Sequence, residues 1–229
     1  IAGAINFIGV VTMNTQRDHP IDLNPLVKIV GSRIPDIKAI EEGGEYWYTL
    51  FTSNGWLKPG MRVLDYGAGL GRISIPFSRI AKVKAIDVNL DMVDYMKSRG
   101  IQAYVAFNLQ PVLKERFDFV ISTFVLQHND IADAQVLTRQ ISSVTDVFYF
   151  TYPVVDLTHN KGLSSYAHYT EVKKLPLLQN TQSSRLMERS ELAVLFDGSL
   201  FDSTTITSLG DPKLNLYRIV KRGQTEQQR

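Results

Sequence analysis

The sequence contains no cysteine. Disulfides, thiolate nucleophiles and cysteine-ligated zinc are excluded with it. Histidine is scarce as well. His19, His128, His159 and His168 stand far apart, with no HxxxH or HExxH arrangement, so no metal site is expected. Neither sign of charge is in excess: 25 Lys and Arg against 23 Asp and Glu leave a net charge of +2. That is too little to argue for a polyanionic partner. Long apolar runs are missing too. The opening stretch Ile1–Thr12 is apolar but too short to span a bilayer, and it lacks the basic flank of a leader, so no function is placed there. The expectations are a cytoplasmic chain with no membrane partner. The sequence carries no signal for an oligomeric state. What is present is ordinary: 44% hydrophobic and 21% charged residues over 229 positions. These proportions exclude a largely disordered or coiled-coil chain and fit one domain with a modest insertion.

The organisation follows from the hydrophobic pattern. Residues 1–35 are rich in Asn, Asp and Pro and are expected to be an irregular arm. Residues 36–221 read as a single α/β domain, and 222–229 as a polar tail. A helical pattern starts at Asp36, and Gly43-Gly44 is expected to split it in two. Strands are expected at Met61–Tyr66, Val83–Val88, Gln102–Phe107, Phe117–Thr123 and Asp146–Tyr152. Helices are expected at Leu70–Ala81, kinked by Pro76, at Asn89–Arg99 closed by Gly100, and from Asp130 to Ser142. This alternation predicts a doubly wound, mostly parallel sheet. Residues 153–187 lose the period and look like a lid or insertion over the carboxyl edge of the sheet. A late helix at Ser190–Phe196 and a hairpin of Thr204–Leu209 with Leu214–Lys221 follow.

The most informative stretch is Asp65-Tyr66-Gly67-Ala68-Gly69-Leu70-Gly71-Arg72, which leaves a strand and opens a helix. Glycines there permit a sharp turn and close approach of a ligand to the backbone. The dinucleotide fingerprint requires glycine where Arg72 stands, and the phosphate-binding Gly-Lys-Ser/Thr is absent. Asp87 ends the second strand. In an open α/β sheet ligands lie beyond the carboxyl ends of the strands, and an acid at that place can take both hydroxyls of a ribose. Asp65, at the end of the first strand, repels a phosphate. Together they favour a nucleoside with a cationic, phosphate-free tail. The plainer alternative is that Asp65 caps a helix and the glycines only turn the chain.

These residues, with Phe117-Asp118-Phe119-Val120 and Leu126-Gln127-His128 further on, resemble the motifs of class I S-adenosylmethionine-dependent methyltransferases, over about Gly44 to Asp146. The resemblance implies a seven-stranded, Rossmann-like sheet whose last strand is antiparallel, with S-adenosyl-L-methionine as cofactor. It implies that the loop of Gly67, Ala68, Gly69 and Gly71 packs against the methionine portion and that Asp65 anchors its amino group. Asp87 then holds the ribose, and Val88 or Asn89 lies near the adenine. Asn108 stands where the family often has an acid contacting the adenine.

A sulfonium methyl is already activated, so the protein has mainly to align a nucleophile with it, an effect worth roughly 7–11 kcal/mol. His128, just past the fourth strand, is the leading candidate for a general base, with a pocket-wall or helix-capping role as the alternative. Tyr46, Tyr152, Tyr166 and His168 are candidates to line an acceptor pocket, with core packing expected for Trp47. The Asn/Asp-Pro-Pro-Tyr/Phe motif of amino-methylating nucleic-acid enzymes is absent. Ser122-Thr123-Phe124-Val125 stands in its place, and Lys173-Lys174 is too little for a polymer-binding stripe. A nucleic-acid partner is therefore not expected, and by elimination the expected acceptor is an O or N atom of a small molecule. Two alternatives are non-methyl-transfer chemistry on the same cofactor and a non-catalytic cofactor-binding protein. Removal of Asp87 is expected to affect ligand binding far more than folding.

Overall fold

Short apolar runs with period-two alternation become strands, and the apolar stripes between them become helices, in the computed structural model, which describes residues 37–105, 112, 114–129, 131–152, 154–155, 187–196, 207–209 and 216–221. In chain order the strands are β1 (Arg62–Tyr66), β2 (Lys82–Asp87), β3 (Gln102–Val105), β4 (Phe119–Ser122), β5 (Val147–Thr151), β6 (Val154–Val155), β7 (Met187–Glu188), β8 (Thr207–Leu209) and β9 (Leu216–Val220). The helices are α1 (Ile37–Ser53), α2 (Ser74–Phe77), α3 (Leu90–Ser98) and α4 (Ile131–Val144). Seven strands form one sheet in the order β3-β2-β1-β4-β5-β9-β8, while β6 and β7 pair separately. Strands β1 to β5 run parallel. The last strand, β9, is antiparallel to both β5 and β8. The expected doubly wound α/β sheet with an antiparallel final strand is what the chain forms.

Alternation along β1 divides the core. Leu64, with Val120, Phe148 and Phe150, faces α4 and its Leu137 and Ile141. Val63, with Phe119, Ile121 and Tyr149, faces Trp47 and Phe51 of α1 and Phe77 of α2. Ala85 and Ala103 meet Val93 and Met96 of α3. The chain runs from β1 outward to β3 and then returns across to β4. The switch point therefore lies between β1 and β4, the place where ligands of such sheets bind.

Three sequence expectations are corrected. Gly43-Gly44 does not split the first helix, which runs unbroken through both. The glycines serve close packing instead: a Cβ on Gly44 would stand 2.5 Å from the Arg72 carbonyl oxygen. The long helix after the glycine loop contracts to four residues, preceded by turns at 69–73. Pro76 sits in its first turn, where a backbone N–H has no intrahelical partner to lose, so it kinks nothing. The late helix is a 3-10 stretch, Arg189–Leu195, whose carbonyls at Val194 and Leu195 accept from the side chains of Gln135 and Thr138 on α4. The expected N-terminal arm, the body of the lid and the polar tail lie outside the described residues.

Candidate active site

The glycine loop is pinned to the end of β2. The N–H groups of Gly67 and Ala68 both donate to the Ile86 carbonyl, at 2.7 and 2.9 Å. Gly67 has φ +77°, and a Cβ on it would stand 2.1 Å from Val125 Cγ2, so the segment after β4 closes directly over it. Gly69 differs. It has φ +56°, and a Cβ there would meet only Met92 Sδ, at 3.9 Å. Of the glycines at 67, 69 and 71, it alone turns toward open space, because Gly71 packs on Ile75 and Met96.

Two carboxylates flank this loop, on the same face of the sheet by strand alternation. Asp87 is buried, and its oxygens accept from the N–H of Gly69 at 2.8 Å and of Asn89 at 2.9 Å. It ties the glycine loop to the turn that starts α3, which Asn89 caps through the N–H groups of Asp91 and Met92. Burial raises its pKa, opposed by backbone donors at Asn89, Gly69 and Val88. A carboxylate offers about four acceptor positions, so acceptor capacity remains for a ligand hydroxyl. Asp65 is 1% exposed. Its Oδ2 accepts from Ser74 Oγ at 2.7 Å, while Oδ1 is buried with no hydrogen-bond partner. Burial, offset by the Ser74 hydrogen bond and reinforced by the charge of Asp87, lifts its pKa from 3.8 to about 7.

The carboxyl end of β4 adjoins that of β1. Ser122 Oγ donates to the Tyr66 carbonyl at 2.9 Å, joining the ends of β4 and β1. Phe124 follows with φ +59°, the one positive-φ residue other than glycine among the described residues. Its N–H donates to the buried Thr151 Oγ1 of β5 at 2.7 Å, and its ring is exposed. A bulky residue held in this conformation is strained, and such strain collects at functional sites. Tyr66, beneath, has its pKa raised to about 12 by burial and by the Asp87 charge.

Asp65, Gly67, Ala68, Gly69, Gly71 and Asp87 thus come together at the ends of β1 and β2, and Val88 projects from the same edge, 70% exposed. Tyr46 is exposed on α1, edge-on to the buried Trp47. Tyr152 is corrected: it is 1% exposed and packs in the cluster under α4, inside the core instead of on an acceptor surface. His128 closes the 3-10 turn Leu126–His128 just past β4, and its side chain lies outside the described residues. Asn108, Tyr166 and His168 lie outside them altogether. Sequence reasoning missed Ser74, Val125 and Thr151. Nothing in a lone Ser or Thr marks it as the partner of a residue several elements away.

Comparison with known proteins bears on this geometry. Residues 63–146, which span the glycine loop, both carboxylates and the turn at His128, match the family described as methyltransferase domain. The match covers this segment of the chain. No curated protein matches the chain in sequence. Among solved structures, the magnesium protoporphyrin IX methyltransferase of Synechocystis PCC 6803 with bound SAH is 17% identical, with a TM-score of 0.57 over 84% of this chain and 91% of that one. The pyocyanin biosynthetic protein PhzM is 14% identical, with a TM-score of 0.56 over 81% and 56%. A putative O-methyltransferase from Nostoc punctiforme PCC 73102 is 15% identical, with a TM-score of 0.53 over 87% and 67%. At such identities the chain shares their fold, and its chemistry has to be argued from its own residues.

Proposed function

We propose that the protein is an S-adenosylmethionine-dependent methyltransferase acting on an O or N atom of a small molecule. The observation that carries this is Asp65 Oδ1, a carboxylate oxygen buried without a donor at the end of β1. A buried acceptor left unpaired is destabilising by about 1–3 kcal/mol, more when charged. A ligand ammonium supplies the donor and the opposite charge. The residues fit the rest of the cofactor: Gly69 leaves room for close approach to the backbone, Asp87 keeps acceptor positions for ribose hydroxyls, and exposed Val88 offers an apolar contact for a base. When bound, S-adenosylmethionine supplies an activated methyl group. The exposed Phe124 and the turn ending in His128 border the side from which an acceptor approaches. His128 is the candidate to take its proton. The small-molecule class is supported by the absence of a basic stripe in the sequence and by the activities printed for the structurally similar proteins.

Calorimetry with S-adenosylhomocysteine, followed by methyl-labelled S-adenosylmethionine incubated with small phenols and amines, tests the reading. Wild type binds the cofactor product and transfers label. Asp87→Ala loses binding. Because it also releases the Gly69 and Asn89 N–H groups, it loses about 2–3 kcal/mol of stability, more than the sequence led us to expect. His128→Ala slows turnover and leaves cofactor affinity unchanged. Absence of any binding to wild type would falsify the assignment, and binding without transfer to any acceptor would leave a non-catalytic cofactor binder.

A further inference from the structure

Phe124 stands in a conformation that its own side chain opposes. Its φ of +59° lies in the left-handed region, where a Cβ crowds the following carbonyl and glycine or asparagine is the residue that fits. Burial of the ring does little to offset that strain, because 45% of the residue stays exposed. The chain on both sides is fixed. Before it, Ser122 Oγ donates to the Tyr66 carbonyl at 2.9 Å. After it, Val125 lies against Gly67, its carbonyl accepts from Asn129 Nδ2 at 2.7 Å, and Leu126 is fully buried. At the strained residue itself the N–H donates to Thr151 Oγ1 at 2.7 Å, and Thr151 is 1% exposed. A strained residue persists only where its surroundings over-determine it, and here they hold an aromatic ring half out of the fold.

The place of this ring follows from its neighbour. Val125, the next residue, touches the loop read above as the cofactor's, so the ring stands one residue from that loop, at the carboxyl end of β4. A phenyl ring fixed at its base offers a flat, weakly negative face. Another aromatic ring stacks on it or meets it edge-on with a gain beyond the area covered, and a puckered saturated ring does not. We propose that Phe124 is the specificity-determining residue for the acceptor and selects a planar aromatic ring bearing the O or N atom. Thr151 is the positioning residue that holds Phe124 there through its N–H. This rests on the methyltransferase reading above.

The test is calorimetric titration of the protein, saturated with S-adenosylhomocysteine, with 2-naphthol and with its saturated counterpart decahydro-2-naphthol. Wild type is expected to bind 2-naphthol roughly fivefold more tightly or better, in the range of an aromatic pair. Phe124→Asn suits the left-handed backbone and lacks the ring. It abolishes the preference, leaves S-adenosylhomocysteine affinity within about twofold and holds the Tm within ~3 °C, because relief of strain offsets the lost contact of the half-buried ring. Thr151→Val removes the acceptor of the Phe124 N–H and reduces the preference, and Thr151→Ser restores it. A merely structural Thr151 would lower the Tm and leave the preference unchanged. No binding of 2-naphthol to the loaded wild type, equal affinity for the two probes, or a preference that survives Phe124→Asn overturns the proposal. A large fall in Tm for Phe124→Asn also overturns it, by making the ring a packing residue. Failure of wild type to bind S-adenosylhomocysteine overturns the cofactor reading itself, a different result. If Thr151→Val does not fold, as judged by circular dichroism, Thr151→Ala is read against the same outcomes.

Discussion

Asp65 is the residue on which the site turns, and its protonation gives a measurable signature. Burial holds its pKa at about 7 in the folded protein, against 3.8 as the reference. A carboxyl raised in this way binds its proton more tightly folded than unfolded. Stability therefore falls as pH climbs from about 4 to about 7 and levels off above, by at most ~4 kcal/mol. Asp87, also raised by burial, acts in the same direction. In urea titrations the stability of wild type relative to Asp65→Asn should drop by ~2–3 kcal/mol between about pH 5 and pH 7.5. A difference that does not vary with pH would remove Asp65 from this role. A ligand ammonium favours the ionised carboxylate, so binding should expel a proton. The affinity for S-adenosylhomocysteine should rise with pH up to about 7, by as much as tenfold per unit.

At the scale of elements, α1 and the glycine loop are fitted to each other through two adjacent glycines with opposite sensitivities. At Gly43 a Cβ would stand at ordinary contact distance from the Arg72 stem. Gly43→Ala should then stabilise the protein by up to ~1 kcal/mol through helix propensity, with cofactor affinity intact. At Gly44 the Cβ would collide with a backbone carbonyl and come within 3.2 Å of Pro76. Gly44→Ala should destabilise by about 1–3 kcal/mol and weaken cofactor binding, because α1 must move off the loop. Thermal melts and calorimetry on the two variants check the contrast, and matching behaviour would mean that α1 is not docked there. The helix has a firm anchor one heptad further on: Phe51, fully buried, packs on Phe77, Phe119 and Tyr149.

Across the whole molecule, the carboxyl ends of β1, β2, β4 and β5 are tied to one another by Ser122 to Tyr66, Phe124 to Thr151, and Asp87 to Gly69. A ligand that bridges these ends stabilises the sheet by mass action. At a hundred times its Kd, S-adenosylhomocysteine should add about 2.7 kcal/mol and raise the Tm by roughly 5–10 °C. No shift at saturation would mean that the ends of the strands do not form its site. Among the described residues no helix is long and apolar enough to cross a membrane.

The order of strands and helices, and the glycine loop between two acids, were legible in the sequence because they rest on local signals. Apolar period, caps such as Asn89 and turn residues such as Gly100 act over a few positions. Tertiary contact decided the rest. Whether Gly43-Gly44 breaks a helix or admits a neighbour depends on Arg72, nearly thirty residues away. Whether Tyr152 faces a ligand or the core depends on α4, and whether Asp87 is dispensable depends on the Gly69 N–H. The chain alone determined which residues reach the carboxyl edge of the sheet. Folding decided which polar atoms there are satisfied from within and which, like Asp65 Oδ1, are buried without a partner, because hydrogen-bond satisfaction is a property of packed neighbours and not of the chain.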